Sequence, residues 1–339
     1  MTAPEKRVGD DPSVRRPESL RRALDRAGAL LDWLWRARGE DLHHLDGEEP
    51  ALFVGNHSGG PLALFEPLLL AHLARRAGVA IAALPFLLLH EIMWRTPLAP
   101  LLARLGAVRA SPDNANAILA RGGRVLVYPG GDREPFRAFR DRDRVELGDR
   151  RGYVKLAIRH GVPIVPIVTT GLQSGFVCLS DGRSLAARFP LARLFRVGVL
   201  PITLSFPFGL WLGVPPPYVP LFVRARVQAL PPIHFTRAGE RAANDEAYVE
   251  ACHRIVVHAM QRALDALARE RRAERRQGLH ATLDALVDRF ERWTGAGALA
   301  GLGAEGTAAC SDATVLALQP APGRVSRRSR PSLPPRAAA

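Results

Sequence analysis

Short apolar runs alternate with helical periodicity through the middle of the chain. Five runs have the length and flanking turn residues of strands: ALFVGN (51–56), VAIAALPF (79–86), RVLVYPGG (124–131), VPIVPIVTTG (162–171) and FVRARVQALPP (222–232). Four segments have apolar residues at the spacing of an amphipathic helix: 67–76, 97–105, 113–121 and 151–160. This alternation predicts an α/β fold with a mainly parallel central sheet flanked by helices.

An amphipathic helix is predicted ahead of the sheet, at residues 19–39. Leucines recur there at helical spacing with arginines between them, and Trp33 and Trp35 lie near its end. Indole rings favour the headgroup zone of a membrane, so an interfacial helix is one interpretation. A helix packed on the domain is the other.

Shifts in composition divide the chain into five segments. Both ends are polar and proline-rich, so they are predicted to be disordered. The residues Asn244-Asp245-Glu246 predict the start of a long helix, and a shorter helix follows at about 279–294. The predicted order is 1–18 disordered, 19–39 amphipathic helix, 40–235 α/β domain, 236–296 C-terminal helical extension and 297–339 disordered tail.

One long stretch is uncharged. The 27 residues from Val197 to Val223 exceed the length that a membrane-spanning helix needs. Six prolines and three glycines interrupt them, and each break in a spanning helix would leave backbone groups to be satisfied. The stretch is therefore predicted to be buried loop and strand, or loop that dips into one leaflet. A transmembrane helix is the less favoured alternative.

The cysteines and the N-terminus fit a reducing, cytoplasmic compartment. Cys178, Cys252 and Cys310 are far apart and have no paired spacing, which argues against a disulfide framework or a zinc site. The first 19 residues contain no apolar core, so no signal peptide is expected.

The net charge of +14 comes almost entirely from arginine. An anionic membrane surface and a nucleic acid would attract such a chain by the same Coulomb force. No nucleic-acid-binding motif is recognisable and aromatic residues are only 6% of the chain, so no nucleic acid partner is expected. A third interpretation of the bulk charge is a high-GC genome, with no binding role.

A histidine separates two apolar runs early in the chain. The strand that ends at Gly55 is followed by five polar or small residues: Asn56, His57, Ser58, Gly59 and Gly60. Open α/β sheets bind ligands at the carboxyl ends of their strands, and small residues let a substrate approach the backbone there. Neutral histidine is well suited to accept a proton near pH 7, so His57 is the candidate general base. The alternative is a core histidine bonded to a backbone group.

Three further stretches complete a pattern. LGAVRAS (105–111) contains a short strand, YPGGDRE (128–134) follows the strand RVLV, and RRGYVKLAIRHG (150–161) introduces the strand at 162–168. In this order, the four stretches resemble the glycerolipid and lysophospholipid acyltransferase superfamily, most closely its monoacylglycerol/diacylglycerol acyltransferase-like branch. The resemblance covers residues 40–235.

The resemblance implies transfer of a fatty acyl group from acyl-CoA or acyl carrier protein to a hydroxyl of a glycerolipid or lysophospholipid. No metal or other cofactor is expected, because base catalysis on an activated thioester needs no further electrophile. The expected partners are the lipid acceptor, the acyl carrier and an anionic membrane surface, with the protein peripheral on the cytoplasmic face. A non-catalytic lipid-binding protein on the same scaffold is the alternative, because one residue of the usual signature is missing.

That missing residue is an aspartate five positions after the histidine, where this chain has Leu62. The first acid downstream is Glu66, and the branch with NHSGG tends to carry its acid later, just before the helix. Glu66 is therefore expected to orient His57. If Glu66 is instead a helix cap or a solvent-facing residue, Asp132 or Glu134 would orient the histidine.

The remaining motifs are expected to contact the substrates. Arg133 matches an arginine that the family associates with the acceptor's phosphate or polar head, although it could be an ordinary surface arginine. Gly130 stands where phosphate-acceptor members carry a glutamate, which disfavours a phosphorylated acceptor. With the residues around His57, the expected substrate-binding set is Asn56, Ser58, Gly59, Gly60, Arg109, Ser111, Tyr128, Pro129, Gly130, Gly131, Asp132, Arg133 and Glu134.

Two pairs within or near this set have alternative interpretations. Arg109 and Ser111 either line the acceptor pocket or form a turn whose serine caps the next helix. Arg151 and Lys155 either meet the donor's phosphates or lie on a solvated helix face.

Overall fold

Ten strands and seven helices make up the described part of the chain. The computed structural model describes residues 7–131, 134–175, 177–182, 200–205, 209–214 and 223–275, together with residue 289. The helices are α1 (Pro17–Trp35), α2 (Glu66–Arg76), α3 (Ala99–Leu105), α4 (Pro112–Ala120), α5 (Gly152–His160), α6 (Glu240–Ala243) and α7 (Glu246–Arg275). The strands are β1 (Arg38–Glu40), β2 (Ala51–Gly55), β3 (Phe86–Leu89), β4 (Ala107–Arg109), β5 (Arg124–Val127), β6 (Ile164–Thr170), β7 (Val177–Ser180), β8 (Ile202–Ser205), β9 (Gly209–Leu212) and β10 (Arg226–Ala229).

Seven strands form the central sheet, in the order β1-β10-β6-β2-β5-β3-β4. The five strands from β2 to β6 run parallel to one another, with a helix after each of the first four. β10 is antiparallel to β6, and β1 is parallel to β10. The predicted α/β fold with a mainly parallel sheet is confirmed. We call the edge at which β2 to β6 end the carboxyl edge.

Helices cover both faces of this sheet. Along β2 the side chains alternate between the faces, as the pleat requires: Leu52 and Val54 pack with α4, α5 and α7, whereas Phe53 packs with α1 and α2. All three side chains are fully buried. The long C-terminal helix therefore forms one layer of the core. It begins where the sequence predicts, because the Asp245 side chain accepts the backbone N–H of Tyr248.

One predicted strand lies elsewhere. The run at 79–86 was predicted as a strand, but Ile81–Ala83 form a single helical turn and the strand follows at Phe86–Leu89. Arg15 holds this turn, because its guanidinium donates hydrogen bonds to the carbonyls of Ile81 and Leu84. The partner is distant in sequence, so the local apolar pattern carries no sign of it.

The N-terminal segment is more ordered than its composition predicts. Residues 7–16 lie against the domain: Arg109 donates to the carboxylate of Asp10 at 3.1 Å and to the carbonyl of Val8 at 2.9 Å. The expectation of disorder for 1–18 is therefore wrong from residue 7 onward. Its polar residues are satisfied by tertiary partners, which composition alone does not reveal.

Helix α1 packs on the domain with one face and presents the other to solvent. It buries the side chains of Leu20, Leu24, Leu31 and Trp35 in the core shared with α2. Trp33 and Leu30 on the outer face are 61% and 53% exposed. The two interpretations of this helix are thus compatible, since packing leaves an arginine-rich, partly apolar face uncovered.

The uncharged stretch contributes to a second, three-stranded antiparallel sheet with the order β7-β8-β9. β8 and β9 come from its described parts, 200–205 and 209–214, as the prediction of strand and loop requires. Residues 183–199, 206–208 and 215–222 lie outside the described residues, as do the predicted helix at 279–294 (apart from residue 289) and the tail. Among the described helices, none combines the length and the apolar character that a membrane span requires.

Candidate active site

His57 and Glu66 meet at the carboxyl edge of the sheet. Strand β2 ends at Gly55 and delivers His57 to this edge, while Glu66 is the first residue of α2. The ring nitrogen Nδ1 of His57 and Oε2 of Glu66 are 2.8 Å apart. The other carboxylate oxygen accepts the backbone N–H of Ser58 at 2.6 Å. One carboxylate therefore holds both the ring of the histidine and the backbone that follows it.

The geometry rejects the helix-cap interpretation of Glu66. Its side chain is 1% exposed, and the cap position of α2 belongs to Phe65. Its carboxylate accepts hydrogen bonds from the ring of His57 and from the backbone of Ser58, and both residues precede the helix in the sequence. Among the described residues no group bonds to the second ring nitrogen, Nε2, and the His57 side chain is 16% exposed. An approaching hydroxyl can therefore reach this ring.

A second buried carboxylate holds the backbone of the histidine. Oε2 of Glu134 accepts the N–H of His57 at 2.9 Å, and Oε1 accepts the N–H of Glu146 at 3.2 Å. Glu134 is fully buried, and the guanidinium of Arg137 lies 3.7 Å from its carboxylate. Burial raises the pKa of this carboxyl to about 7, against the opposing charge of Arg137. Glu134 was expected to bind substrate or orient the ring, but it contacts the backbone of His57.

Tyr128 lies flat against the imidazole. The two rings are 4.3 Å apart between centroids and 9° from parallel. A Cβ atom at Gly55 would clash with the Tyr128 ring, so this glycine makes room for the stack. Burial, with the nearby charges of Glu66 and Glu134, raises the pKa of Tyr128 well above its ordinary value, which keeps the phenol protonated.

The turn after β5 is shaped by two glycines. A Cβ atom at Gly130 would clash with the carboxylate of Glu134, and one at Gly131 would clash with Arg150. Arg150 also donates to the carbonyl of Pro129 at 3.0 Å, a contact that sequence analysis missed. These residues build the turn that carries Glu134 to His57. Asp132 and Arg133 lie outside the described residues.

The residues around His57 differ in role. Asn56 is fully buried, and its amide both donates to the carbonyl of Thr169 and accepts the N–H of the same residue. It therefore ties β2 to β6 and is buried away from the surface at which a substrate was expected to contact it. Gly59 and Gly60 are buried, and Gly60 has a φ of 55°. The hydroxyl of Ser58 is buried, with no hydrogen-bond partner among the described residues.

The second motif lies farther along the same edge and is engaged in structural contacts. Arg109 contacts Asp10, Glu91 and the ring of Trp94, so its guanidinium is engaged. The hydroxyl of Ser111 accepts the N–H of Asn114 at 3.1 Å and caps α4. The capping interpretation of Ser111 is confirmed.

The helix-face interpretation holds for the other pair. Arg151 is bonded to Glu250, and Lys155 lies 2.5 Å from Glu246. Both cations thus link α5 to α7. Within the described residues there is no group of three or more metal-ligating side chains.

Comparison with known families identifies the relationship. Residues 81–188 match the model of the diacylglycerol acyltransferase family, a region that begins after His57 and Glu66. A chicken protein named "DGAT1/2-independent enzyme synthesizing storage lipids" is 27% identical over 205 residues, covering 57% of this chain and 58% of that protein. Its human counterpart is 32% identical over 116 residues, or 34% of this chain and 35% of that protein.

Bacterial relatives and one solved structure are also similar. An uncharacterized Mycobacterium leprae protein is 28% identical over 211 residues, covering 62% of this chain and 54% of that protein. The chain thus spans about half the length of the curated relatives it matches first. The 1-acyl-sn-glycerophosphate acyltransferase PlsC of Thermotoga maritima has a TM-score of 0.43 at 16% identity, covering 74% of this chain and 79% of that one. The family match and the curated relatives show that the chain is related to the glycerolipid acyltransferases.

Proposed function

We propose that the protein transfers a fatty acyl group from acyl-CoA, or from acyl carrier protein, to a hydroxyl of a glycerolipid or lysophospholipid. The observation that carries this proposal is the contact between His57 and Glu66 at the carboxyl edge of the sheet. A buried carboxylate on one nitrogen of a histidine whose ring is reachable from outside is an arrangement suited to general base catalysis.

The reaction follows from this geometry. Glu66 accepts a hydrogen bond from Nδ1–H of His57, which leaves the lone pair of Nε2 available for the acceptor's hydroxyl proton. As that proton leaves, the hydroxyl oxygen attacks the thioester carbonyl and forms the ester bond. The carbon–sulfur bond breaks, and the imidazolium returns the proton to the departing thiolate. The negative charge of Glu66 stabilises the imidazolium between these two steps.

We also place the protein at the surface of a membrane, peripherally and on its cytoplasmic side. The outer face of α1 supports this, because exposed Trp33 and Leu30 share it with two exposed arginines, Arg22 and Arg26. Arginines are attracted to anionic headgroups and indole favours the interface. A lipid acceptor would then reach the site from the membrane.

The test is incubation of the purified full chain with labelled acyl-CoA, or labelled acyl carrier protein, and a panel of lysophospholipids and neutral glycerolipids, followed by product identification. His57→Ala should lower turnover by about 10²–10⁴-fold, the usual contribution of a general base. His234→Ala is the matched control, because His234 is exposed and makes no hydrogen bond among the described residues. Lipid binding without any thioester-dependent product would instead indicate a non-catalytic lipid-binding protein.

A further inference from the structure

A cleft lined by arginines lies at the β1 end of the central sheet. Its volume is about 600 Å³, within the range of cavities that hold small ligands. The ends of α1, α2 and α7 and the beginnings of β1 and β10 surround it. Five arginines line the cleft: Arg36, Arg38, Arg76, Arg224 and Arg226.

The charges within the cleft are unbalanced. Its lining contains only two carboxylates, Asp32 and Glu274, against the five arginines. Asp32 is engaged with Arg76 at 2.8 Å, and Glu274 with Arg38 at 3.4 Å and with Arg226. Two carboxylates outside the lining also pair with Arg226: Glu40 at 2.6 Å and Glu270 at 3.9 Å. No carboxylate of the described residues pairs with the other two arginines, Arg36 and Arg224. Positive charges held close together repel one another, so a bound anion would reduce the repulsion among these arginines.

The backbone holds the two unpaired arginines in place. Ala225 donates its N–H to the carbonyl of Trp35 at 2.9 Å, and Arg38 donates to the carbonyl of Ala225 at 3.1 Å. Arg36 and Arg224 therefore lie on adjacent, hydrogen-bonded segments. The backbone of Arg36 is also in the left-handed conformation, with a φ of 36°, which residues other than glycine adopt less readily. This conformation ends α1, where the N–H of Arg36 donates to the carbonyl of Asp32, so the direction of the segment is fixed by the helix cap.

The cleft opens at the same edge of the sheet as His57. In the strand register, Arg226 lies opposite Thr170 at the end of β6, and Gly55 lies opposite Ile167 of the same strand. Two strand spacings and three residues separate Arg226 from Gly55, which amounts to roughly 14 Å. A ligand with phosphates at one end and a reactive group on a long arm could therefore occupy both sites.

We propose that this cleft binds the phosphate groups of a phosphate-bearing ligand. Guanidinium groups match phosphate in geometry as well as in charge. The phosphates of coenzyme A and the headgroup of an anionic phospholipid share this chemistry, and both are available to a lipid enzyme at a membrane. Assignment of the cleft to the acyl donor rests on the proposed function, whereas phosphate binding does not.

The test measures binding without turnover. The full chain is titrated with coenzyme A, with adenosine 3′,5′-bisphosphate and with inorganic phosphate, and is floated with vesicles of phosphatidylcholine that contain or lack phosphatidylglycerol. The double variant Arg36→Gln, Arg224→Gln breaks no ion pair of the described residues and should weaken binding by about tenfold or more. The control is Arg254→Gln, Arg262→Gln, which removes the same charge from exposed positions of α7 and should bind like wild type.

The outcomes identify the source of the phosphate. Weaker binding of coenzyme A and of the bisphosphate by the double variant assigns the cleft to the donor. Weaker binding of phosphatidylglycerol vesicles alone assigns it to a lipid headgroup. The proposal is overturned if wild type binds none of these ligands, if the double variant binds as wild type does, or if the control loses as much affinity. His57→Ala should keep the binding, so failure of the proposed reaction would leave this result intact.

Discussion

The carboxylate of Glu66 holds Nδ1 of His57 at 2.8 Å although nine residues separate the two in the chain. The same carboxylate accepts the N–H of Ser58, so it orients the ring and the backbone together. Loss of its charge should therefore affect the transition state more than the binding of substrate, because the imidazolium forms only during the reaction.

Substitution of Glu66 tests this role. Glu66→Gln should lower kcat by about tenfold or more with little change in the acceptor KM, because an amide accepts only one of the two hydrogen bonds and lacks the charge. Glu66→Ala removes both hydrogen bonds and should lower kcat further. Turnover per folded molecule is the measurement, with Glu48→Gln as the control, since Glu48 is exposed. Near-normal turnover in both variants would remove Glu66 from the mechanism.

Glu134 should make stability depend on pH. Burial raises its pKa from an ordinary 4.5 to about 7, so between these values the folded state holds a proton that the unfolded state has lost. Its contribution to stability is therefore complete below pH 4.5 and is lost as the pH rises through 7. Relative to Glu134→Gln, which does not titrate, the wild-type free energy of unfolding should fall across this window by at most about 3 kcal/mol.

Denaturant unfolding of both proteins between pH 4 and pH 8 measures this difference. A difference that stays constant with pH would mean that folding does not shift the pKa of this carboxyl. The turnover of Glu134→Gln adds a second measurement. If Glu134 positions the backbone of His57, kcat should fall while the KM of each substrate stays within a few-fold of wild type.

Arg109 is predicted to support stability. Its guanidinium joins Asp10 and Glu91 and lies over the ring of Trp94 at 5.7 Å, so Arg109→Gln should lower the free energy of unfolding by about 1–3 kcal/mol. The acceptor KM should stay unchanged. Arg104→Gln, which removes an exposed arginine of α3, should change neither quantity. A raised acceptor KM with normal stability would instead indicate that Arg109 lines the acceptor pocket.

Membrane association should be peripheral and should depend on α1. High salt or alkaline carbonate should release much of the protein from membranes, because arginine attraction is screened and no described helix is long and apolar enough to span. The double variant Leu30→Ser, Trp33→Ser should reduce vesicle binding by about tenfold or more, since it removes two large apolar side chains. Ile255→Ser, on a helix packed against the opposite face of the sheet, is the control. Release by detergent alone would contradict a peripheral position.

Most of the fold could be predicted from local sequence patterns, because the periodicity of a strand or a helix is visible within a few residues. The strand before His57 was predictable from its apolar run, and the start of α7 from Asp245. Glu66 was expected from the family resemblance, and its contact with His57 could not follow from spacing alone because a longer loop separates them.

What the sequence did not reveal depends on partners far apart in the chain. Arg15 holds the turn that displaced the predicted strand, and Arg109 holds the N-terminal segment. Asn56 resembled a substrate contact by position, yet its buried amide donates to and accepts from the backbone of Thr169. Each of these polar side chains is satisfied across more than 60 residues, a distance at which composition and periodicity carry no information.

The ring of Tyr128 occupies the space that a Cβ atom at Gly55 would need. The residue at each of these two positions therefore limits which residues fit at the other. Gly55→Ala should therefore impair stability and turnover, and Tyr128→Ala in the same chain should restore much of the stability, an interaction that a double-mutant cycle measures. Among relatives, the two positions should change together, so that an aromatic residue at the second accompanies glycine at the first.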